Sequence, residues 1–106
     1  MKNGVELIAD ERKRQVEEEG WTPEHDQQHC NGGLCKAAEN YVRFAGECDV
    51  ARDYQRKNGH TPHGWPWDWS WWKPSKGNTE DCKIRDLTKA GALIAAEIDR
   101  LIRQKQ

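Results

Sequence analysis

Residues 65–72 read Trp-Pro-Trp-Asp-Trp-Ser-Trp-Trp and hold five of the six tryptophans of the chain. With a mean hydropathy of −1.12, the remainder offers little else large to bury. In an extended backbone, Trp65, Trp67, Trp69 and Trp71 alternate with Pro66, Asp68 and Ser70, so the four indoles would share one face. An indole buries a large apolar area while its ring N–H still needs an acceptor. The segment therefore reads as an aromatic plug that closes a small helical domain short of core material. It also suits the wall of a site that stacks on a flat ligand, and a plug can leave one indole at such a wall.

A chain of 106 residues fits one domain, spanning 1–106, and no interior stretch is long or biased enough to act as a linker. Seventeen Lys and Arg against eighteen Asp and Glu leave a formal net charge of −1. That balance argues against general nucleic-acid binding, which needs a basic excess or stripe. No apolar run approaches the roughly 20 residues that span a bilayer, and the N-terminus has no signal-peptide apolar core. The expectation is a soluble cytoplasmic protein without a membrane partner. Cys30, Cys35, Cys48 and Cys82 include no Cys-x-x-Cys pair. His25, His29, Cys30 and Cys35 have suitable ligand types for zinc, but ordinary thiols and surface histidines are the expected reading. Cys35 falls on the apolar side of a predicted helix, where a free thiol behaves as a small hydrophobe. No metal or cofactor is expected.

The hydrophobic periodicity predicts a mainly α fold of about three helices with the Trp-rich extended segment packed across them. A first helix over 3–19 has Asn3 as N-cap, Val5, Ile8, Arg12 and Val16 along one face, and Gly20 at its end. The charged remainder of that helix reads as a solvated surface with internal ion pairs. One short helical turn follows, capped by Thr22 with Pro23 at the first helical position. The second helix, over 31–47, carries Leu34, Ala37, Ala38, Tyr41, Val42 and Ala45 at amphipathic spacing. A short helical piece is expected over 49–56, then a turn at Asn58-Gly59. In the last helix, capped by Thr79, Ile84, Leu87, Ala90, Gly91, Ile94, Ile98, Leu101 and Ile102 form the apolar stripe. Asp86, Ala90, Leu93 and Glu97 share a neighbouring azimuth, and Lys89 lies one turn from Asp86, within pairing reach.

Chemistry-bearing residues concentrate at 24–29. Glu24, His25, Asp26 and His29 are four titratable groups within six residues, beside Trp21. If this turn is helical, His25 and His29 face together.

The ordered set Glu11-Arg12, Glu19-Gly20-Trp21-Thr22, Glu24-His25-Asp26, His29, Trp65-Pro66-Trp67, Trp71-Trp72-Lys73-Pro74 and Lys89-Ala90-Gly91-Ala92-Leu93-Ile94 resembles a group of short proteins of tailed bacteriophages and prophages. The resemblance covers nearly the whole chain, departs at Cys35, where that pattern has Ala, and carries no settled function. It implies a small phage accessory protein working in the host cytoplasm. Glu11-Arg12 to Gly20-Trp21 also resembles part of the RyR repeat domain, which implies a nucleotide-like ligand.

Three functions follow as alternatives. The first is a binder of a small nucleotide-like molecule, such as a sponge that removes the signalling nucleotides of bacterial immunity. Trp21, Trp67 and Trp71 would stack on its base. Arg12, Lys73, Arg85 and Lys89, with Arg14, would meet its phosphates, and His25, Asp26 and His29 would read its polar edges. The second is an all-helical metal-dependent nucleotide phosphohydrolase resembling MazG-type enzymes, drawing on Glu17, Glu18, Glu39 and Glu97. Its Glu-x-x-Asp is not met, because Glu97-Ile98-Asp99 has one residue too few between the carboxylates. The third is an inhibitor that sets its Trp face against a host protein. A chain this short can also complete its core as a homodimer.

Overall fold

The computed structural model of the chain describes residues 1–29, 31–57 and 62–106. Among these lie five α-helices: α1 (Gly4–Glu17), α2 (Pro23–Gln27), α3 (Gly33–Gly46), α4 (Asp49–Lys57) and α5 (Glu80–Gln104). One 3-10 turn, Trp69–Trp71, joins them, and no strand occurs among the described residues. The fold is mainly α, as the periodicity implies, and among the described residues no helix is long and apolar enough to cross a membrane. Cys30 and the turn expected at Asn58-Gly59 fall outside the described residues.

Local chemistry sets the helix starts. Asn3 Oδ1 accepts from the Glu6 N–H at 3.0 Å, and Glu6 Oε1 accepts from the Asn3 N–H at 3.0 Å, a reciprocal capping box. Thr22 Oγ1 caps α2 through the His25 N–H, with Pro23 where a helix can lack a donor. Thr79 Oγ1 caps α5 through the Cys82 N–H at 3.2 Å.

The core forms where α3 meets α5. Leu34, Ala37, Ala38 and Tyr41 pack against Ala90, Leu93 and Ala96. So many alanines allow the two backbones to approach closely but leave little apolar volume, and the indoles supply the rest. Trp21, Trp65, Trp67 and Trp72 pack against this cluster. Trp72 lies 4.7 Å from Tyr41 and 5.7 Å from Phe44 between ring centroids, and Trp65 stands edge-on to Trp67 and Trp72 at 5.5 and 5.1 Å. Such aromatic pairs contribute about 0.5–1.5 kcal/mol each beyond their burial. On another side of α5, α1 comes so close at Gly91 that a Cβ there would stand 2.5 Å from Ile8 Cδ1.

Several expectations are corrected. The Trp segment packs across the helices, but its four alternating indoles do not share one face. Asp68 Oδ1 accepts from the Ser70 N–H at 2.9 Å and winds the chain into the 3-10 turn, which leaves Trp69 70% exposed while Trp65, Trp67 and Trp72 turn to the core. Along α5 the inward stripe is Asp86, Ala90, Leu93, Glu97 and Arg100, all buried, whereas Ile84, Leu87, Ile94, Ile98, Leu101 and Ile102 remain 46% to 51% exposed. The charged members of the inward stripe bring partners with them, Asp86 meeting Arg52 and Glu97 meeting Arg100 at 2.6 Å. Asp86 therefore does not pair with Lys89, whose ammonium reaches the Lys73 carbonyl instead. On α1, Val5 is exposed and Gln15 is the buried residue. Val42 and Cys35 lie on the exposed flank of α3, with Cys35 Sγ 3.8 Å from Glu97 Oε2. The ion pairs foreseen on α1 do form, Arg14 meeting Glu11 at 2.8 Å and Glu19 at 2.9 Å.

Arg52 ties the layers together. Its fully buried guanidinium donates to Phe44 O at 2.9 Å, Asn78 Oδ1 at 2.8 Å, Gly77 O at 2.8 Å, Ser75 Oγ at 3.1 Å and Asp86 Oδ2 at 3.1 Å. Asp86 in turn accepts from the Ser75 N–H at 2.8 Å and the Ser75 hydroxyl at 2.7 Å. Removing one member of such a pair strands the other charge without water, which costs about 3–5 kcal/mol. Arg52→Met is expected to lower the unfolding free energy by about that amount in a urea titration, against less than about 0.5 kcal/mol for Arg43→Met on the surface.

Candidate functional site

The side chains brought together by this packing come from three stretches of chain. Trp21 leaves the end of α1, where its N–H donates to Gln15 O at 3.0 Å. His25 and His29 follow from α2 and its exit, Leu34 rises from the first turn of α3, and Trp67, Asp68 and Trp71 come from the Trp segment. Together they line a cavity of about 240 Å³. Its wall is a chain of rings: Trp21 is parallel to His25 with centroids 6.0 Å apart, His25 meets His29 edge-on at 4.9 Å, and His29 meets Trp67 at 4.9 Å. Trp21 also stands 6.1 Å from Trp67 and 5.9 Å from Trp71, which closes the circle.

Burial, followed by the proximity of His25, pushes the His29 imidazole below its ordinary value, while Asp26 acts weakly the other way. At neutral pH His29 is therefore an uncharged ring with a donor and an acceptor, suited to reading a polar edge. Asp68 sits at the rim, and its carboxyl is held below the usual range by the Ser70 N–H that it caps.

Behind the wall, Arg12 and Asp26 hold the frame. Asp26 is fully buried, 2.5 Å from the Arg12 guanidinium, which also donates to Trp21 O at 3.4 Å. Asp26 Oδ1 lies 3.6 Å from His25 Nδ1, a pair that becomes ionic when His25 is protonated. Arg12 and Asp26 thus anchor the segment that carries Trp21 and His25, and neither lines the cavity.

Lys73, Arg85 and Lys89 gather on the far side of Trp71. With Arg14 and the carboxylates Glu11, Glu19 and Asp81 they line an open cleft of about 600 Å³. A small separate pocket of about 20 Å³ shares Trp21, Trp67 and Trp71 with the aromatic cavity and Arg14, Glu19, Lys73 and Lys89 with the cleft. The Lys73 ammonium lies 5.4 Å over the Trp71 ring, and the Lys73 N–H donates to the Tyr41 hydroxyl at 2.9 Å. Lys89 donates to Lys73 O at 3.1 Å and stands over the Tyr41 ring. Burial, and next the Arg85 charge, pull the Lys89 ammonium from its ordinary 10.5 down to about 8. A crowded cation that loses its proton this readily gains from an anion beside it.

The carboxylates available for metal chemistry do not converge. Glu39 pairs with Arg43 at 2.6 Å, Glu97 with Arg100, and Glu18 lies 3.8 Å from Arg14. Among the described residues no group of three His, Cys, Asp or Glu side chains is arranged to hold a metal ion. Sequence reasoning missed Leu34 and Asp68 as lining residues. Leu34 was hidden within the amphipathic stripe, and the signal for Asp68 was a capping residue two positions before Ser70. Compared with protein-family models, with curated proteins and with solved structures, the chain matches none.

Gly33 gives a structural handle on the cavity. A Cβ there would lie 3.0 Å from Trp67 Nε1, so Gly33→Val must move that indole. The expected result is a changed near-ultraviolet circular dichroism spectrum, reporting altered ring coupling, with far-ultraviolet helix content retained.

Proposed function

We propose that the protein binds a small nucleotide-like molecule, its base stacked in the aromatic cavity and its phosphates in the Lys73, Arg85 and Lys89 cleft. The observation that supports this reading is adjacency: the ring-lined cavity and the cleft that holds Lys73, Arg85 and Lys89 both border one small pocket at Trp71 and Lys73. Stacking contributes roughly 1–3 kcal/mol per base, and charge-assisted hydrogen bonds favour phosphate oxygens over neutral groups. Asp68, which lines the aromatic cavity, disfavours phosphate there, in keeping with a ligand tail set among the lysines. With the phage-protein resemblance, this makes the chain a sponge that sequesters a signalling nucleotide of the host.

The test is a thermal-shift panel of nucleoside triphosphates, cyclic oligonucleotides and ADP-ribose derivatives, with and without magnesium, followed by chromatography. A ligand that binds only the folded state must raise the melting temperature. The expected outcome is a shift with the nucleotide recovered intact. Trp71→Ala should weaken binding by about tenfold or more, the loss of one stacked ring. Magnesium-dependent loss of the nucleotide would instead favour the phosphohydrolase reading, and silence across the panel would overturn the proposal.

Protonation gives an independent check. A phosphate beside Lys89 raises its pKa from about 8 toward the ordinary value, so binding at pH 8 to 9 takes up a fraction of a proton. Titration calorimetry in two buffers of different ionisation enthalpy should detect that uptake, and Lys89→Met should abolish it.

One observation favours a second reading. Three indoles with a carboxylate at the rim also form a cage suited to a quaternary ammonium group. Asp68→Asn separates the two, since it weakens a cationic ligand and leaves a phosphate-bearing one unchanged or tighter.

A further inference from the structure

Two polar atoms that burial leaves unpaired lie next to each other. Asp26 Oδ1 and His25 Nδ1 are both hidden from solvent, and among the described residues neither has a hydrogen-bond partner. They stand 3.6 Å apart. Asp26 Oδ2 is already taken by the Arg12 guanidinium, so Oδ1 is the carboxylate atom left to satisfy. A buried polar atom without a hydrogen bond carries its full desolvation cost, and a closed N–H···O bond spans about 2.7–3.2 Å. A small turn of the imidazole about its last side-chain torsion, which is soft in histidine, closes the gap and relieves both atoms at once. Only one form of the neutral ring can do this. An ionised carboxylate accepts and cannot donate, so the proton must sit on Nδ1, and Nε2 is left as a bare lone pair. Turning the ring over would set a carbon against Oδ1 and leave the carboxylate unsatisfied.

The His25 ring lines the aromatic cavity, parallel to Trp21, whereas Asp26 stands behind it. With Nδ1 turned back to Asp26, Nε2 lies on the edge that the ring presents outward. We propose that Asp26 locks His25 in the Nδ1–H form, which makes Nε2 a fixed acceptor of the aromatic cavity, and that the cavity takes a flat ring with an N–H donor on its edge. The first half is a property of the chain alone. The second rests on the nucleotide reading and narrows it to bases that carry an amino or ring N–H group. Hydrogen bonds in series polarise one another, so the carboxylate behind His25 strengthens Nε2 as an acceptor. Asp26 touches no ligand in this arrangement and is a positioning residue. A base without a donor would strand the Nε2 lone pair, and a site built around a hydrogen bond rejects the analogue that lacks it.

The test of the first half is nitrogen-15 NMR of the histidine rings in the full chain, at a pH where imidazoles are neutral. The two neutral forms differ in which nitrogen carries the proton, and the His25→Phe variant identifies the His25 signals. The expected spectrum has His25 protonated at Nδ1 and bare at Nε2. Asp26→Asn, which can keep its oxygen toward Arg12 and turn its amide N–H₂ to His25, should reverse that assignment, a change that a merely structural role would not produce. If Asp26→Asn fails to fold, the spectrum of the unaltered chain still decides. The second half is read by calorimetry with adenosine triphosphate and with purine riboside triphosphate, which lacks only the amino group. The amino-bearing nucleotide should bind at least about tenfold tighter, and His25→Phe, which keeps an aromatic ring, should erase the difference. A His25 protonated at Nε2 overturns the proposal whatever binds. The Nδ1–H form with equal binding of the two nucleotides overturns the second half and leaves the nucleotide reading standing. Binding of neither overturns the second half together with that reading.

Discussion

The contact between the Arg52 guanidinium and the Asp86 carboxylate, both without access to water, governs how the outer layer is attached. The stretch between the indoles and α5 has little apolar surface of its own, so it is held by polar groups. Arg52 satisfies the carbonyls of Phe44 and Gly77 together with Asn78 and Ser75, and rests on the Phe44 ring at 4.3 Å. A planar fork of donors suits five acceptors arranged around it, which the point charge of a lysine does not. Burial of these charges is favourable only as a complete set, because every partner left alone would carry a desolvation cost.

Held at that end, the Trp segment substitutes for the missing large residues of the core. An α3–α5 interface built from alanines brings two helices close, and Trp65, Trp67 and Trp72 then cover the edge that the alanines leave thin. Rings arranged edge to face cannot tile a surface without gaps. The gap bounded by Trp21, Trp67 and Trp71 is the aromatic cavity. The core and the candidate site are thus two consequences of one choice of side chains.

Much of this was legible in the sequence wherever the cause is local. Asn3, Thr22 with Pro23, and Thr79 mark helix starts because a side-chain oxygen within three residues satisfies an orphan donor, and the structure makes each of those bonds. Trp21, His25, His29, Trp67 and Trp71 were also named as site residues, and they do converge. Three matters were not legible. Periodicity finds two stripes on α5 but cannot say which turns inward, since that depends on Arg52 arriving from α4 to neutralise Asp86, while Glu97 is met by Arg100 of the same helix. The alternation of the indoles suggested one shared face along an extended segment, whereas the Asp68 carboxylate accepts from the Ser70 N–H and winds residues 69–71 into a 3-10 turn. Arg12 and Asp26 have the residue types of a ligand contact, and only tertiary packing reveals that they contact each other.

The aromatic cavity is assembled from parts of the chain that meet only while the Trp segment is docked. Its C-terminal end is fastened by the Lys73 N–H on Tyr41 and the Ser75 N–H on Asp86. The indoles of Trp65, Trp67 and Trp72 hold the same segment against the α3–α5 core, so the wall and the core share their contacts. Side chains that complete the core therefore also fix the shape of the cavity, and a substitution that disturbs one disturbs the other.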